Sequence, residues 1–164
     1  MDQVSRRVVS VDDCVELDLR VRYAETDRMG VVYYANYLVW FEMGRSEYCR
    51  QRGFQYLELE EQGYRLVVVE ATCKYRQPAR YDELVTVRTD LQSLQRRTVC
   101  FGYQVVRKGP GEILVEGETQ HLCIDAAGKV TIIPEPYFTH LAQGIQSFTP
   151  PQNPHGIPPR KSHG

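Results

Sequence analysis

The chain has 164 residues, of which 42% are hydrophobic and 25% charged, and its formal net charge at pH 7 is −1. This length suits one domain with a buried core. The charge balance gives no electrostatic reason to expect a nucleic acid or an anionic membrane as a partner. No apolar run reaches the length of a transmembrane helix.

The N-terminal sequence and the cysteines indicate a cytoplasmic protein. Residues 1–14 lack the apolar core and small-residue cleavage site of a signal peptide. The five cysteines are scattered and include no CxxC pair, which is typical of reduced thiols and not of a disulfide framework or a zinc site. None of the four histidines stands at metal-ligand spacing from another histidine, a cysteine or a carboxylate, so we expect neither a metal nor a cofactor.

The first predicted element is a strand over residues 15–23, VELDLRVRY. Apolar and charged residues alternate strictly there, so that one face carries Val15, Leu17, Leu19, Val21 and Tyr23. Period-two alternation indicates a half-buried strand. The sequence DRMG predicts a turn directly after it.

A helix is predicted from about Asn36 to Arg52. Its apolar face recurs at three- and four-residue steps and comprises Tyr37, Trp40, Phe41, Gly44 and Tyr48. Asn36 is a candidate N-cap and Gly53 a natural stop. No other long helical pattern occurs in the chain.

Strand patterns follow a linking segment over residues 54–63. They are RLVVVEATCKYR, ELVTVRTDLQSL, TVCFGYQVVR and EILVEGETQHLCI, and a further hairpin at DAAGKV leads into TIIP. This order predicts an α+β domain in which an antiparallel sheet covers one helix. We place an N-terminal extension at residues 1–14, the domain at 15–142 and a tail at 143–164. Five of the nine prolines fall within residues 147–164, so the tail is expected to be flexible.

Asp27, in the predicted turn, is the candidate catalytic residue. A turn role alone would explain it, because Asp caps nearby backbone amides. However, the chain from Asp27 to Asn36 is short, so this loop must return close to the first turn of the helix. Free backbone N–H groups and the positive end of the helix dipole lie there. A carboxylate beside such donors suits acyl transfer.

Other charged residues offer weaker candidates. Glu42 on the helix is the rival catalytic acid, although pairing with Arg45 or simple exposure also explains it. Arg96 and Arg97 are solvated surface residues or, alternatively, contacts to a phosphate group. The chain contains no GxSxG, P-loop or GxGxxG sequence, which argues against a serine hydrolase, an NTPase and a Rossmann enzyme.

Residues 23–53, YAETDRMGVVYYANYLVWFEMGRSEYCRQRG, resemble a family signature. The signature is that of the hotdog-fold acyl-CoA thioesterases, specifically the 4-hydroxybenzoyl-CoA thioesterase type and its Tol–Pal-linked bacterial relatives. The motif D-x-x-G-V-V-Y-x-x-x-Y carries the resemblance, and PARYDE (residues 78–83) supports it. The resemblance extends over roughly residues 15–142.

The resemblance implies a hotdog fold, in which a curved antiparallel sheet wraps one long central helix. It also implies homo-oligomers: two sheets join edge to edge, two dimers often form a tetramer, and the active sites lie between subunits. Gly44 stands where relatives usually carry Ala, which implies close contact between the helix and the sheet.

The resemblance also implies site residues. Asp27 matches the catalytic carboxylate, and the backbone amide of Tyr34 matches the group that polarises the thioester carbonyl. Many relatives carry His at the position of Tyr34, but a backbone role survives that change. The remaining expected substrate contacts are Gly30, Val31, Asn36 and Tyr37 in the motif and Arg96, Arg97 and Thr98 for the CoA phosphates.

Three functions remain open. The first is hydrolysis of a small, fatty or aromatic acyl-CoA, with Asp27 acting as nucleophile or as general base. The second is hydrolysis of an acyl group on an acyl carrier protein. The third is acyl binding without catalysis, which loss of the acid would favour, but Asp27 is present. A hotdog hydratase would need His five residues after this Asp, where Val32 stands.

Overall fold

A computed structural model of the protein describes residues 14–143. In chain order the elements are β1 (Val15–Arg20), α1 (Asn36–Gln51), α2 (Tyr56–Glu61), β2 (Arg65–Tyr75), β3 (Leu84–Leu94), β4 (Thr98–Arg107), β5 (Ile113–Ile124) and α3 (Tyr137–Ala142). A short 3-10 helix, Tyr23–Glu25, follows β1. The predictions for the N-terminal extension and the Pro-rich tail fall almost wholly outside the described residues.

The five strands form one antiparallel sheet in the order β1-β3-β4-β5-β2. α1 packs on the inner face of this sheet, against β1, β3 and β4. Trp40, Phe41 and Tyr48 of α1 are fully buried there, and the ring of Phe41 stacks on that of Tyr103 at 4.3 Å between centroids. The predicted architecture, a sheet covering one long helix, is therefore present.

Gly44 allows α1 to approach the sheet closely. A Cβ atom at this position would lie within 3.0 Å of side-chain atoms of both Thr89 and Val87 on β3. Such separations are shorter than ordinary packing allows, so a larger residue would push the helix away. The close contact expected at Gly44 is confirmed.

Four local features differ from the prediction. β1 ends at Arg20, and Tyr23 is 78% exposed in the 3-10 turn, where its ring packs edge-on against Tyr81. The N-cap of α1 is Ala35, because the Asn36 side chain donates to the carbonyl of Glu25 instead of accepting from the helix. Residues 54–63, expected to be a linking segment, contain the helix α2. In place of the further strand expected after β5, the described residues form only the isolated bridge between Ile124 and Val130.

β2 lies at one edge of the sheet and is largely exposed. It pairs with β5 alone, so the backbone groups along its other side have no partner strand among residues 14–143. Val68, Val69 and Tyr75 are exposed large apolar residues on this strand. No helix in this part of the chain is long and apolar enough to cross a membrane.

Candidate active site

The loop between the 3-10 helix and α1 folds into a tight turn around Asp27. The backbone N–H of Asp27 donates to the Val31 carbonyl at 2.9 Å, and the N–H of Gly30 donates to the Asp27 carbonyl at 3.0 Å. Gly30 has φ +74°, a left-handed conformation that favours glycine. The predicted turn at DRMG is therefore present, and it closes with Asp27 at its start.

The carboxylate of Asp27 is half-buried and uses only one of its oxygens within this turn. Oδ1 accepts a hydrogen bond from the backbone N–H of Met29 at 2.8 Å. Oδ2 accepts no hydrogen bond from any of the residues 14–143. The turn role expected of Asp27 thus occupies one oxygen and leaves the other available for chemistry.

The segment PARYDE holds this loop in place. The N–H of Val32 donates to the Ala79 carbonyl at 2.8 Å, and Val31 forms an antiparallel bridge with Arg80. The N–H of Ala79 in turn donates to the hydroxyl oxygen of Tyr37, at 3.1 Å. The two sequence motifs that carry the family resemblance therefore contact each other directly.

An unpaired backbone donor lies at the start of α1. The carbonyl of Tyr33 accepts from the N–H of Asn36 at 2.9 Å, which fixes the Tyr33–Tyr34 peptide. The other end of that peptide, the N–H of Tyr34, donates to no acceptor within the described range 14–143. The positive end of the helix dipole reinforces a donor in this position. This N–H is therefore available to an external carbonyl oxygen.

Three aromatic rings cluster near the start of α1, where this donor lies. The side chain of Tyr34 is 60% exposed, and its ring centroid lies 4.7 Å from that of Tyr33 and 6.4 Å from that of Tyr75. The hydroxyl of Tyr75, at the end of β2, donates to the carbonyl of Tyr34 at 3.0 Å. Sequence reasoning missed Tyr75, because only the folded sheet brings the end of β2 to the start of α1.

The other predicted motif residues have partners inside the protein. Gly30 and Val31 form the turn, the Asn36 side chain donates to the Glu25 carbonyl at 2.9 Å, and the buried Tyr37 hydroxyl accepts from Ala79. These residues therefore shape the loop, and a direct contact between any of them and a substrate stays a prediction.

Arg96, Arg97 and Thr98 lie far from Asp27 within one chain. They form the turn between β3 and β4, where the N–H of Gln95 donates to the Thr98 carbonyl at 2.8 Å, and both arginines are exposed. The Asp27 loop packs against residues just before β3, whereas this turn follows the end of β3. The strand between them, Leu84–Leu94, spans roughly 30 Å. The predicted phosphate contacts and the predicted acid are thus at opposite ends of the sheet.

Two further side chains lie outside this site. Glu42 is exposed on α1, about 9 Å along the helix axis from Asn36 at 1.5 Å per residue, and it forms no ion pair within residues 14–143. The ion pair found on this helix joins Arg50 to Glu47. His121 is buried towards the far end of β5, and burial lowers its pKa to about 4, so it is neutral at pH 7.

A buried acid, Glu25, was also missed. It is only 7% exposed, and its carboxylate accepts hydrogen bonds from the Trp40 indole and from the backbone of Arg22. Glu25 stands in the quoted motif two residues before Asp27, but no spacing rule distinguishes it from an exposed loop residue. No group of three histidine, cysteine or carboxylate side chains that could hold a metal ion occurs among residues 14–143.

Comparison with known proteins identifies the family. Residues 29–114 match the thioesterase superfamily. The chain is 32% identical to the acyl-CoA thioester hydrolase YbgC of Escherichia coli O6:H1 over 107 residues, which is 65% of this chain and 79% of that protein. The protein belongs to the thioesterase superfamily.

Solved structures agree with this assignment. A hypothetical protein of Thermus thermophilus, TT1821, matches with a TM-score of 0.74 and 39% identity, covering 78% of this chain and 97% of that one. The DHNA-CoA thioesterase of Staphylococcus aureus matches with a TM-score of 0.73 and 31% identity, covering 80% of this chain and 87% of that one. The expected hotdog α+β fold and enzyme class, a thioester hydrolase, are confirmed.

Proposed function

We propose that this protein hydrolyses the thioester bond of an acyl-CoA, with Asp27 as the reacting carboxylate and the Tyr34 backbone N–H as the donor to the thioester carbonyl oxygen. The observation that carries the proposal is that a carboxylate oxygen and a backbone N–H, both unpaired within residues 14–143, occur in one hydrogen-bonded loop at the start of α1. The names of the relatives, an acyl-CoA thioester hydrolase and a DHNA-CoA thioesterase, support acyl-CoA as the substrate.

The chemistry follows from the two groups. When the carbonyl carbon is attacked, negative charge develops on its oxygen, and an oriented N–H at a helix N-terminus stabilises that charge. Asp27 either attacks the carbon itself, forming an acyl anhydride that water hydrolyses after the CoA thiolate has left, or removes a proton from the water molecule that attacks the thioester directly. Both routes give the free acid and CoA, and both need the free oxygen of Asp27.

A hydrolysis screen tests the function. Short-chain, long-chain and aromatic acyl-CoAs are incubated with the protein, and the released thiol is measured. We expect at least one substrate to reach a kcat/KM of ~10⁴ M⁻¹s⁻¹ or more, the range of ordinary enzymes. The same acyl groups on an acyl carrier protein, measured in parallel, test the carrier-protein alternative. Tight binding of acyl-CoA without thiol release from any substrate would instead establish the non-catalytic function.

The protein is further proposed to act as a homo-oligomer, either a dimer or a dimer of dimers. The supporting feature is β2, an exposed edge strand with Val68 and Val69 on its surface. Soluble proteins avoid leaving an apolar strand edge unpaired, and a second copy offers an identical edge for antiparallel pairing. Light scattering at micromolar concentration should therefore give twice or four times the mass of one chain. A mass of one chain would contradict this.

Recognition of the CoA phosphates is proposed for Arg96, Arg97 and Thr98. Because the net charge is near zero, the phosphates need local positive charge. Since these residues lie roughly 30 Å from the Asp27 loop along β3, they would serve the active site of a neighbouring subunit. Replacing both arginines by Ala should raise KM more than it lowers kcat, because a remote phosphate contact is made equally in the ground and transition states.

Mixed oligomers give this prediction a sharp control. Subunits carrying Asp27→Asn are mixed with subunits carrying Arg96→Ala and Arg97→Ala. If the site is shared, one class of mixed site contains an intact Asp27 and intact arginines, so the mixture regains a low KM. If each subunit uses its own arginines, KM stays high. Removing two cations elsewhere, with Arg50→Ala and Lys108→Ala, should leave KM unchanged, because these side chains pair with Glu47 and Asp18 respectively.

A further inference from the structure

Glu25 connects the loop before Asp27 to the second turn of α1. Its Oε1 accepts the backbone N–H of Arg22 at 2.8 Å, and its Oε2 accepts the indole Nε1–H of Trp40 at 2.6 Å. The indole belongs to a tryptophan that is 0% exposed. A buried carboxylate is stable only when its oxygens have partners, and here each oxygen faces an N–H donor.

The backbone of Glu25 makes a second set of contacts to the same region. Its carbonyl oxygen accepts the N–H of Tyr33 at 2.8 Å and the side-chain amide of Asn36 at 2.9 Å. Asn36 also donates its backbone N–H to the Tyr33 carbonyl. The residues on both sides of the Tyr34 N–H are therefore fixed to Glu25. Asp27 follows Glu25 by two residues, so its position depends on the same anchor.

We infer that Glu25 is a positioning residue that sets the geometry between the Asp27 carboxylate and the Tyr34 N–H. This inference rests on the proposed function of those two groups. Glu25 does not touch the reacting atoms. It acts by holding the 3-10 turn, the returning loop and α1 in one arrangement, and the buried hydrogen bond to Trp40 is the contact that ties the arrangement to the helix.

The contacts require a carboxylate at this position. Glutamine has nearly the same shape but offers one oxygen and one NH₂ group, so its NH₂ would face either the Arg22 N–H or the Trp40 indole N–H. Two donors would then oppose each other in a buried site, and the loop would shift to separate them. A displacement of about 1 Å at a catalytic group can cost ~10²-fold in rate.

The test compares Glu25→Gln, Trp40→Phe and the double variant. We expect each single change to lower kcat by about 10-fold or more while KM stays within about threefold, because the geometry of the transition state is affected and remote contacts to the substrate are not. In the double variant the indole N–H is absent, so the glutamine oxygen can face the backbone N–H of Arg22 while its NH₂ group faces no donor. Its loss of kcat should therefore be clearly smaller than the product of the two single losses.

Leu59→Ala separates positioning from stability. Leu59 is fully buried in α2, outside the loop, and takes no part in the hydrogen bonds of Glu25, so its truncation destabilises the protein while keeping those bonds. All variants are assayed at a temperature where circular dichroism shows them folded. A fall in kcat for Leu59→Ala equal to that for Glu25→Gln would overturn the inference. So would a loss of kcat in the double variant equal to the product of the two single losses. Should Glu25→Gln fail to fold, the kcat and KM of Trp40→Phe decide, because this variant keeps the carboxylate and removes its contact to the helix.

Asp27→Asn in the same assay distinguishes this inference from the proposed function. If that variant keeps the wild-type rate, the proposed mechanism itself fails. If Asp27→Asn is inactive while Glu25→Gln and Trp40→Phe both work within twofold of wild type, the mechanism stands and the role of Glu25 is wrong.

Discussion

Replacing Asp27 by Asn should lower the rate of hydrolysis of the best acyl-CoA by at least ~10²-fold, which is the usual loss when a nucleophile or general base is removed. Asn keeps a side-chain oxygen that can accept the N–H of Met29, so the turn and the fold should survive. The change removes the charge and the reactive oxygen alone. The rate is measured by thiol release, binding of the substrate by calorimetry, and folding by circular dichroism.

Glu42→Gln is the matched control for this change. Glu42 is exposed, lies almost two turns into α1, and has no ion-pair partner among the described residues. Its loss of charge should therefore leave kcat within a few-fold of wild type. If Glu42→Gln is inactive and Asp27→Asn turns over normally, the catalytic acid is on the helix and the assignment of Asp27 is wrong.

Gly117→Ala should cause the largest loss of stability among single methyl additions to the sheet. A Cβ atom at this position on β5 would lie within 3.0 Å of the backbone carbonyl of Thr72 on β2 and of the ring of Phe41. Neither can move easily, because Thr72 belongs to the paired strand and Phe41 stacks on Tyr103 in the core. Overpacking of this kind costs about 1–3 kcal/mol of unfolding free energy. Urea denaturation measures this loss, with wild type and variant fitted to the same dependence of unfolding free energy on urea concentration.

Gly102→Ala provides the comparison on the neighbouring strand. The three atoms nearest to a Cβ there belong to the side chains of Asp90 and Gln92, which can rotate away. The loss of stability should therefore be clearly smaller than for Gly117→Ala. Equal losses for the two variants would mean that the cost comes from replacing glycine in a strand and not from the contact with β2 and α1.

Most of the fold could be predicted from periodicity. The strands β2 to β5 and the helix α1 agree with their predicted bounds to within about one residue, because their residues alternate or repeat over ten or more positions. The predicted end of β1 was wrong because the alternation of apolar and charged residues continues past the end of the strand. Alternation runs through Tyr23, but the Glu25 carboxylate accepts the Arg22 N–H, and this contact bends the chain into the 3-10 turn instead.

The candidate site was predictable only in part. Asp27 is close in sequence to the start of α1, so a short loop was enough to suggest that this acid lies beside free backbone N–H groups, whereas the choice of the Tyr34 amide came from the family resemblance. The partners of Glu25 could not be predicted in this way, because Trp40 lies fifteen residues further on and meets it only after α1 has packed. The sequence also does not show that the Asp27 loop packs just before β3, so the distance from Asp27 to Arg96 and Arg97 emerged only from the bridge between Val31 and Arg80 and the length of β3.

The strand order has a consequence for how the chain is synthesised. β2 is the second strand to be synthesised, but it lies at the edge of the sheet, and the strand that pairs with it, β5, ends at Ile124. Roughly 50 residues separate the end of β2 from the end of β5, and at 5–20 residues per second a ribosome needs about 2–10 s to add them. Until β5 has been made, β2 lacks the strand that pairs with it among residues 14–143. The strand proposed to join two subunits is thus made seconds before the strand that pairs with it in its own chain, and pairing between nascent chains competes with folding at that point.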